Sequence, residues 1–237
     1  MHTVLESIAT ANPPFRLPQV QALEFMSQLE GIAPSLRDRA AKIYANSGID
    51  CRYSCIPDYG AEPQNFSFYP QNWQLSPAPT TADRNQLYHI YAAKIAESAA
   101  DRAIGQANLS PAAITHLIVV SCTGFTAPGI DVHLIQRLGL RSDVDRTLIG
   151  FMGCYAAFNG LKTAHQICQS QPQAKVLLVC VELCTLHFQN QNTIESVVIN
   201  AIFGDGAAAA ILSSQSRAAA VGKLAYVDGY SLLLPDT

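Results

Sequence analysis

The sequence has few charged residues, and no part of it is strongly charged or continuously hydrophobic. Charged residues make up 14% of the 237 residues, and 15 Lys and Arg stand against 18 Asp and Glu, for a net charge of −3. Proteins that bind nucleic acid or anionic membranes through a basic surface usually show an excess of Lys and Arg. No apolar run approaches the ~18 residues that span a bilayer, and the first residues lack the basic and apolar regions of a signal peptide. We therefore expect a cytoplasmic protein without a nucleic-acid partner or a membrane span.

The cysteines lack the arrangement of a disulfide framework or a zinc site. An odd number of scattered cysteines in a chain without a signal peptide argues against structural disulfides. Two pairs have C-x3-C spacing, but no further His or Cys completes a set of four zinc ligands around them. We expect free thiols and no bound metal. The cysteines are Cys51, Cys55, Cys122, Cys154, Cys168, Cys180 and Cys184.

Apolar runs of strand length alternate with helical patterns along the chain. With 49% hydrophobic residues the chain can bury a substantial core. Runs of β-branched and apolar residues predict buried strands, and the alternation with helices predicts a layered α/β sheet with βαβ crossovers. Strands are predicted at 114–122, 146–153, 175–183, 204–214 and 223–234, and helices at 22–44 (broken at 31–34), 81–107, 130–139 and 154–169, with irregular chain at 56–80.

The segment "LIGFMGCYAAFNGLKTAHQIC" places a cysteine between a strand and an amphipathic helix. Gly153 permits a sharp turn, and Cys154 stands at the start of a helix whose buried face is predicted to include Phe158, Leu161 and Cys168. The N-terminal end of a helix favours an anion, so the pattern is typical of a nucleophile elbow. The alternative is that Cys154 is a small buried hydrophobic residue. A helix end contributes only about 0.3–1 kcal/mol, so a nucleophile here also needs a basic partner, usually His.

Several motifs of the chain occur in the same order in one enzyme family. They are "IATANPP", "SCTGFTAPGIDVHLIQRLGL", "IGFMGCYAAFNGLKTAHQI", "VELCTLHFQ" and "IFGDGAAAAIL". The chain resembles the N-terminal portion of bacterial-type type III polyketide synthases, the chalcone and stilbene synthase family. The resemblance implies a thiolase-like layered αβαβα fold, with a synthase N-terminal domain at 1–214 and the start of the C-terminal half at 215–237. It also implies a homodimeric acyltransferase that condenses an acyl-CoA starter with malonyl-CoA and needs no cofactor beyond these substrates.

The resemblance assigns roles to individual residues. It makes Cys154 the catalytic residue that carries the acyl chain as a thioester, and Phe203 the gatekeeper between the coenzyme A tunnel and the reaction cavity. Arg39 and Lys42 match coenzyme A-binding residues, and Asn46 replaces a third basic residue of plant members. The residues implied to line the cavity are Cys122, Thr123, Ala127, Cys184 and His187.

Some of these residues also have simpler interpretations. Arg39 and Lys42 lie three positions apart, which suits phosphate contacts but also a solvated helix face. His187 could be a structural histidine. Asp205, between two glycines, is interpreted as a turn residue rather than an acid catalyst, because Asp readily bonds to its own backbone in such turns.

The family completes its site with a histidine in a Gly-rich loop and with a later asparagine, and neither has a match in these residues. We therefore expect that the 237 residues alone do not synthesise a polyketide. One alternative is an enzyme similar to ketoacyl synthase III, which shares the elbow and the Gly-Asp-Gly turn but resembles the chain less in "MGCYAAF" and "VELCTLHFQ". Another is a catalytically silent fragment or pairing module.

Overall fold

A computed structural model describes residues 1–234 and places a mixed five-stranded sheet at the centre of this part of the chain, with strand order β1-β7-β6-β4-β5. β2 and β3 form a separate antiparallel pair. The strands are β1 (His2–Ala11), β2 (Phe15–Pro18), β3 (Cys51–Ser54), β4 (His116–Ser121), β5 (Asp145–Gly150), β6 (Lys175–Leu183) and β7 (Asp205–Gln215). The α-helices are α1 (Gln19–Gln28), α2 (Pro34–Ala45), α3 (Thr81–Gln106), α4 (Ile130–Leu138), α5 (Ala156–Ser170) and α6 (Ile194–Ile202), and short 3-10 turns lie at 58–60, 63–65, 111–113 and 184–187.

The directions of the strands bring several loops to one edge of the sheet. β4 pairs in parallel with β5 on one side and with β6 on the other. β7 runs antiparallel to β6, so Asp205 at its start lies opposite Leu183 at the end of β6. The carboxyl ends of β4, β5 and β6 and the amino end of β7 therefore meet at the same edge, where ligand sites of α/β sheets usually form.

Both faces of the central strands are buried. Leu117 and Val119 of β4 belong to the large core on the side of α3, whereas Ile118 and Val120 belong to the second core beneath α5. This alternation follows from the two-residue period of a strand. Among residues 1–234, no helix is both long and apolar enough to cross a membrane.

The predictions for the central strands are confirmed, and the prediction for the last one is wrong. β4, β6 and β7 coincide closely with their predicted ranges, whereas β5 ends at Gly150 rather than continuing to Gly153. Residues 223–234 form no strand; only the bridge between Val4 and Ala225 pairs this segment with β1. The prediction failed because an apolar pattern does not provide a pairing partner, and a strand needs one. Residues 235–237 of the predicted C-terminal segment lie outside the described residues.

Helix α5 buries only part of the predicted face: Cys168 is buried and Leu161 is half-buried, but the prediction for Phe158 is wrong. Phe158 is 70% exposed. The buried positions are Ala156, Gly160, Ala164 and Cys168, spaced four residues apart. Gly160 lies against β6, where an added Cβ would be 2.6 Å from Cδ1 of Leu178. Small residues thus allow close contact with the sheet, and the larger ones are displaced to the outer face.

Candidate active site

Cys154 lies in a sharp turn between β5 and α5. Phe151 and Gly153 have positive φ angles of 56° and 86°, and Cys154 itself is exposed. The helix begins at Ala156, two residues later than predicted, because the preceding residues form a turn in which the Ala156 N–H donates to the Gly153 carbonyl at 3.0 Å. A nonglycine residue is strained at φ near +86°, which explains the glycine before the cysteine. The turn directs Cys154 away from the interior, contrary to its interpretation as a buried hydrophobic residue.

The loop after β4 lies beside this turn and is held by Glu182. The Glu182 carboxylate accepts hydrogen bonds from the Cys122 N–H at 2.9 Å, the Thr123 N–H at 2.9 Å and the Thr123 hydroxyl at 2.6 Å. The Cys122 sulfur is 3.8 Å from the Gly153 carbonyl oxygen. Sequence reasoning missed Glu182, although an acidic residue near the end of an otherwise apolar strand was a usable signal. Glu182 joins the ends of β4 and β6 at the site.

Cys184 and His187 lie on the 3-10 turn that follows β6. The His187 Nε2 atom is 2.7 Å from the Thr123 carbonyl oxygen, so Nε2 carries the hydrogen of this bond. Burial, together with the nearby carboxylates of Asp205 and Glu182, raises the pKa of Cys184 to about 12. Cys184 therefore remains a neutral thiol near pH 7. Cys154 also contributes to this shift, which places the two thiols near each other.

Asp205 is not the turn residue that its Gly-Asp-Gly setting predicts. It is the first residue of β7, and its buried carboxylate accepts hydrogen bonds from the Cys55 N–H, the Thr185 N–H and the Thr185 hydroxyl, each at 2.7 Å. Burial raises the pKa of Asp205, and these hydrogen bonds oppose the increase. The local sequence could not show this, because the partners lie 150 and 20 residues away. Asp205 ties β3 and the turn after β6 to the start of β7.

A cavity of about 180 Å³ opens beside the turn that follows β6. It brings together the predicted residues Thr123, Cys184, His187 and Phe203. Cys122 lies next to it through the Glu182 contacts. Ala127 is exposed in the loop after β4 and is outside the set of lining residues, so its role in the cavity stays a prediction. The cavity is lined by Arg52, Tyr59, Thr123, Cys184, Thr185, His187, Phe188, Ile199, Asn200 and Phe203.

Arg39 and Lys42 are exposed on α2, one helical turn apart. Neither forms an ion pair with any residue in the part of the chain that the structure covers. α2 packs against α6, where the Tyr44 hydroxyl donates to the Asn200 carbonyl at 3.1 Å. The basic face thus lies on a helix that contacts the one leading to Phe203, and its two cations are free to meet an anion.

Cys154 has no basic partner among the described residues. All six histidines fall within residues 1–234, and none of them is hydrogen-bonded to Cys154; His165, for example, bonds to Thr3, and His133 bonds to Glu97. In the same range, no group of three His, Cys, Asp or Glu side chains is arranged to hold a metal ion. The site thus presents an exposed thiol at the edge of the sheet where the cavity lies, without the base that would activate it, and Cys154 is outside the set of residues that line the cavity.

Comparisons with known proteins agree on one family. Residues 3–216 match the family described as "Chalcone and stilbene synthases, N-terminal domain". The chain is 33% identical, over 99% of its length, to the α-pyrone synthesis polyketide synthase-like Pks18 of Mycobacterium tuberculosis. The 1,3,6,8-tetrahydroxynaphthalene synthase of Streptomyces peucetius is 28% identical over 89% of the chain.

Solved structures show the same relationship. PKS-I of the brown alga Ectocarpus siliculosus matches with a TM-score of 0.83 and 37% identity, covering 91% of this chain and 57% of the alga's protein. A structure of CsyB in complex with CoA-SH matches with a TM-score of 0.73 and 27% identity over 89% of this chain and 55% of that one.

The match covers only part of these relatives. The chain spans 58% of the length of Pks18 and 54% of the tetrahydroxynaphthalene synthase. The type III polyketide synthases among the solved structures confirm the predicted thiolase-like α/β fold class. The chain belongs to the chalcone and stilbene synthase family, the type III polyketide synthases, and corresponds to its N-terminal portion.

Proposed function

We propose that the chain supplies the acyl-carrying half of a type III polyketide synthase, with Cys154 as the nucleophile. In this reaction the Cys154 sulfur attacks the thioester carbonyl of an acyl-CoA starter, the carbon–sulfur bond to coenzyme A breaks, and the thiol proton leaves with the coenzyme A thiol. The observation that supports this role most strongly is the exposed position of Cys154 in a strained turn, at the sheet edge where the cavity opens. Extension with malonyl-CoA then takes place on the acyl-cysteine.

The two other thiols near the site are less suited to this role. Cys184 is kept neutral by its raised pKa. The Cys122 sulfur faces the Gly153 carbonyl, and its backbone is held by Glu182. We assign Cys122, Thr123, Cys184 and His187 to the walls of the cavity that receives the acyl chain. Ala127, in the neighbouring loop, is proposed to leave additional room there.

Phe203 and the basic face of α2 are proposed to handle the coenzyme A part of the substrate. Arg39 and Lys42 are exposed and unpaired within residues 1–234, so they can contact phosphate groups, for which Lys and Arg are the usual ligands. Phe203 follows α6 and forms part of the cavity wall, as a gatekeeper between coenzyme A and the cavity would. The complex of CsyB with CoA-SH supports a coenzyme A site in this family.

We propose that residues 1–214 form the N-terminal synthase domain and that residues 215–237 begin the second half. Extension requires donors that stabilise the enolate oxygen after decarboxylation, and the loss of one such donor typically costs about 10²–10³ in rate. Since no histidine in residues 1–234 is bonded to Cys154, we expect the chain alone to form the acyl-cysteine slowly and to make no polyketide. No cofactor beyond the coenzyme A substrates is proposed, and a cytoplasmic location stays a prediction.

We also propose a homodimer that forms through the free edge of β5. The opposite edge strand, β1, is partly covered, because the Leu5 N–H donates to the Leu224 carbonyl and the Tyr226 N–H donates to the Thr3 carbonyl, each at 2.9 Å. β5 has no such cover within the described residues. One of its apolar side chains, Leu148, is 57% exposed. An uncovered strand edge with exposed apolar residues is suited to association with a second copy.

Release of free coenzyme A tests the proposed acyl transfer. When the chain is mixed with an excess of acyl-CoA, we expect a slow release that approaches one coenzyme A per chain, because the acyl-cysteine forms once and is not consumed. Cys154→Ala should abolish this release, whereas Cys51→Ala, a change on β3 outside the proposed site, should leave it intact. Undiminished release by the Cys154→Ala variant would contradict the proposal.

A further inference from the structure

The last turn of α6 is held by side chains from other elements. The final carbonyl groups of a helix have no partner within it. Here the buried Tyr44 hydroxyl donates to the Asn200 carbonyl at 3.1 Å, and the buried Gln19 Nε2 donates to the Ala201 carbonyl at 2.7 Å. Phe203 is the C-cap residue of this helix. Two of the carbonyls just before Phe203 are thus bonded from α1 and α2.

Arg52 joins these contacts to Phe203 itself. Its Nη1 donates to the Phe203 carbonyl at 2.6 Å, and its Nε donates to Oε1 of Gln19 at 3.0 Å. The guanidinium also lies 5.9 Å from the centre of the Tyr44 ring. One planar group therefore contacts both side chains that hold the helix end, and a positive charge at a helix C-terminus is favourable. A lysine has no second donor at a fixed angle, so it could not make both hydrogen bonds in this geometry.

The chain beyond Phe203 has little freedom to adjust. A Cβ added to Gly204 would lie 3.1 Å from the Arg52 Cβ and 3.4 Å from the Tyr53 carbonyl oxygen. The next residue, Asp205, is fixed by its hydrogen bonds to Cys55 and Thr185. The backbone is therefore anchored on both sides of Phe203.

We propose that Arg52 is a positioning residue for Phe203, which sets where the Phe203 ring stands in the cavity wall and so how acyl groups of different length fit beside Cys154. The proposal rests on the gatekeeper role proposed above for Phe203. Arg52 itself lines the same cavity, so the contact acts at the cavity surface rather than from a distance. Arg52 carries out no bond-making step.

Hydrogen exchange tests the contact without requiring any acyl transfer. In Arg52→Ala, we expect the Phe203 amide, which donates to the Ile199 carbonyl, to exchange about tenfold faster, since a hydrogen bond from a charged donor is lost. The matched control is Arg102→Ala, which removes another arginine-to-carbonyl hydrogen bond, the one to Thr10 at 2.9 Å. This control should leave exchange at Phe203 unchanged. Unchanged exchange in Arg52→Ala, or equal acceleration throughout the chain, would overturn the proposal.

The second measurement compares acylation of Cys154 by acetyl-CoA and by lauroyl-CoA. We expect Arg52→Ala to change the ratio of the two rates by about tenfold, in the same direction as Phe203→Ala, because the fit of apolar groups in a pocket has effects of this size. The double variant should behave like Phe203→Ala alone, since both changes act on one element. A ratio that stays unchanged in Arg52→Ala, while Cys154 is acylated, would also overturn the proposal. Absence of acylation in the unsubstituted chain would instead refute the proposed function, and the exchange result would still decide the role of Arg52.

Discussion

At the scale of single residues, the structural environment distinguishes reactive from unreactive thiols more clearly than the surrounding sequence does. Cys154 and Cys184 lie near each other, but Cys154 is exposed while Cys184 is partly buried among carboxylates. A thiol reacts as its thiolate, so burial and nearby negative charge both reduce reactivity. The motif around Cys154 predicted a reactive cysteine, whereas nothing in "VELCTLHFQ" indicated that Cys184 is protected.

This difference predicts the pattern of alkylation. At pH 8, a thiol with a pKa of about 12 is ionised to only about 1 part in 10⁴. We expect iodoacetamide to modify Cys154 at least about a hundredfold faster than Cys184. Between pH 7 and pH 10, the rate at Cys184 should increase about tenfold per pH unit, because its thiolate fraction does so below the pKa. Rates from mass spectrometry of peptides check this; a rate at Cys184 that levels off below pH 10 would contradict it.

At the scale of secondary-structure elements, the sequence predicted the buried central strands well but did not predict the edge strand β1. β4 and β6 are continuous apolar runs, and such runs have few alternatives to burial in a sheet. β1 was missed because its exposed and buried positions alternate irregularly, with a register shift between Leu5 and Ser7. Its place in the sheet depends on pairing with β7, about 200 residues later, and local patterns do not contain that information.

The same limit applies to the face of α5 that meets the sheet. Apolar spacing favoured Phe158, but the sheet selects small residues because the helix lies close to it. Local sequence did not show the role of Asp205 and gave only one signal for Glu182, its place near the end of an apolar strand, since each carboxylate binds backbone groups that only the fold brings near. The motifs therefore predicted the position of the nucleophile, but not the groups that hold the loops around it.

Two glycine substitutions test the packing of α5. Gly160→Ala introduces a Cβ 2.6 Å from Leu178 and 3.3 Å from Val120, so we expect the free energy of unfolding to decrease by about 1–3 kcal/mol. Gly105→Ala in α3 meets no atom within 4 Å, and we expect it to be neutral or stabilising by up to about 1 kcal/mol, from helix propensity alone. Urea unfolding of both variants provides the comparison. Equal effects would show that α5 does not lie as close to the sheet as described.

At the scale of the whole molecule, apolar surface remains exposed in several regions of the described chain, and two of them flank the turn that carries Cys154. One includes Leu148 on β5 with Phe125 and Phe151 nearby, whose rings are 6.4 Å apart. The other is the outer face of α5, where Tyr155 and Phe158 are exposed. Monomeric proteins seldom leave large apolar patches in water. The first region is the proposed dimer interface, and the second is available to further chain, since the family relatives are longer.

The dimer is tested by a charge placed at the β5 edge. We expect Leu148→Lys to convert a dimeric chain into a monomer, because an unpaired charge at an apolar interface is costly. Val20→Lys is the matched control, since Val20 is 66% exposed on α1, away from this edge. Sedimentation equilibrium gives the masses. A monomeric unsubstituted chain, or a Leu148→Lys variant that remains dimeric, would contradict the proposed interface.

The central claim is that Cys154, and no other cysteine of the chain, accepts the acyl group. The most direct measurement is peptide mapping by mass spectrometry after incubation with an acyl-CoA, with all seven cysteines covered. The account predicts that the acyl mass is found on the peptide containing Cys154 and is removed by hydroxylamine, as a thioester is. An acyl group found mainly on Cys122, Cys184 or any other cysteine would contradict it.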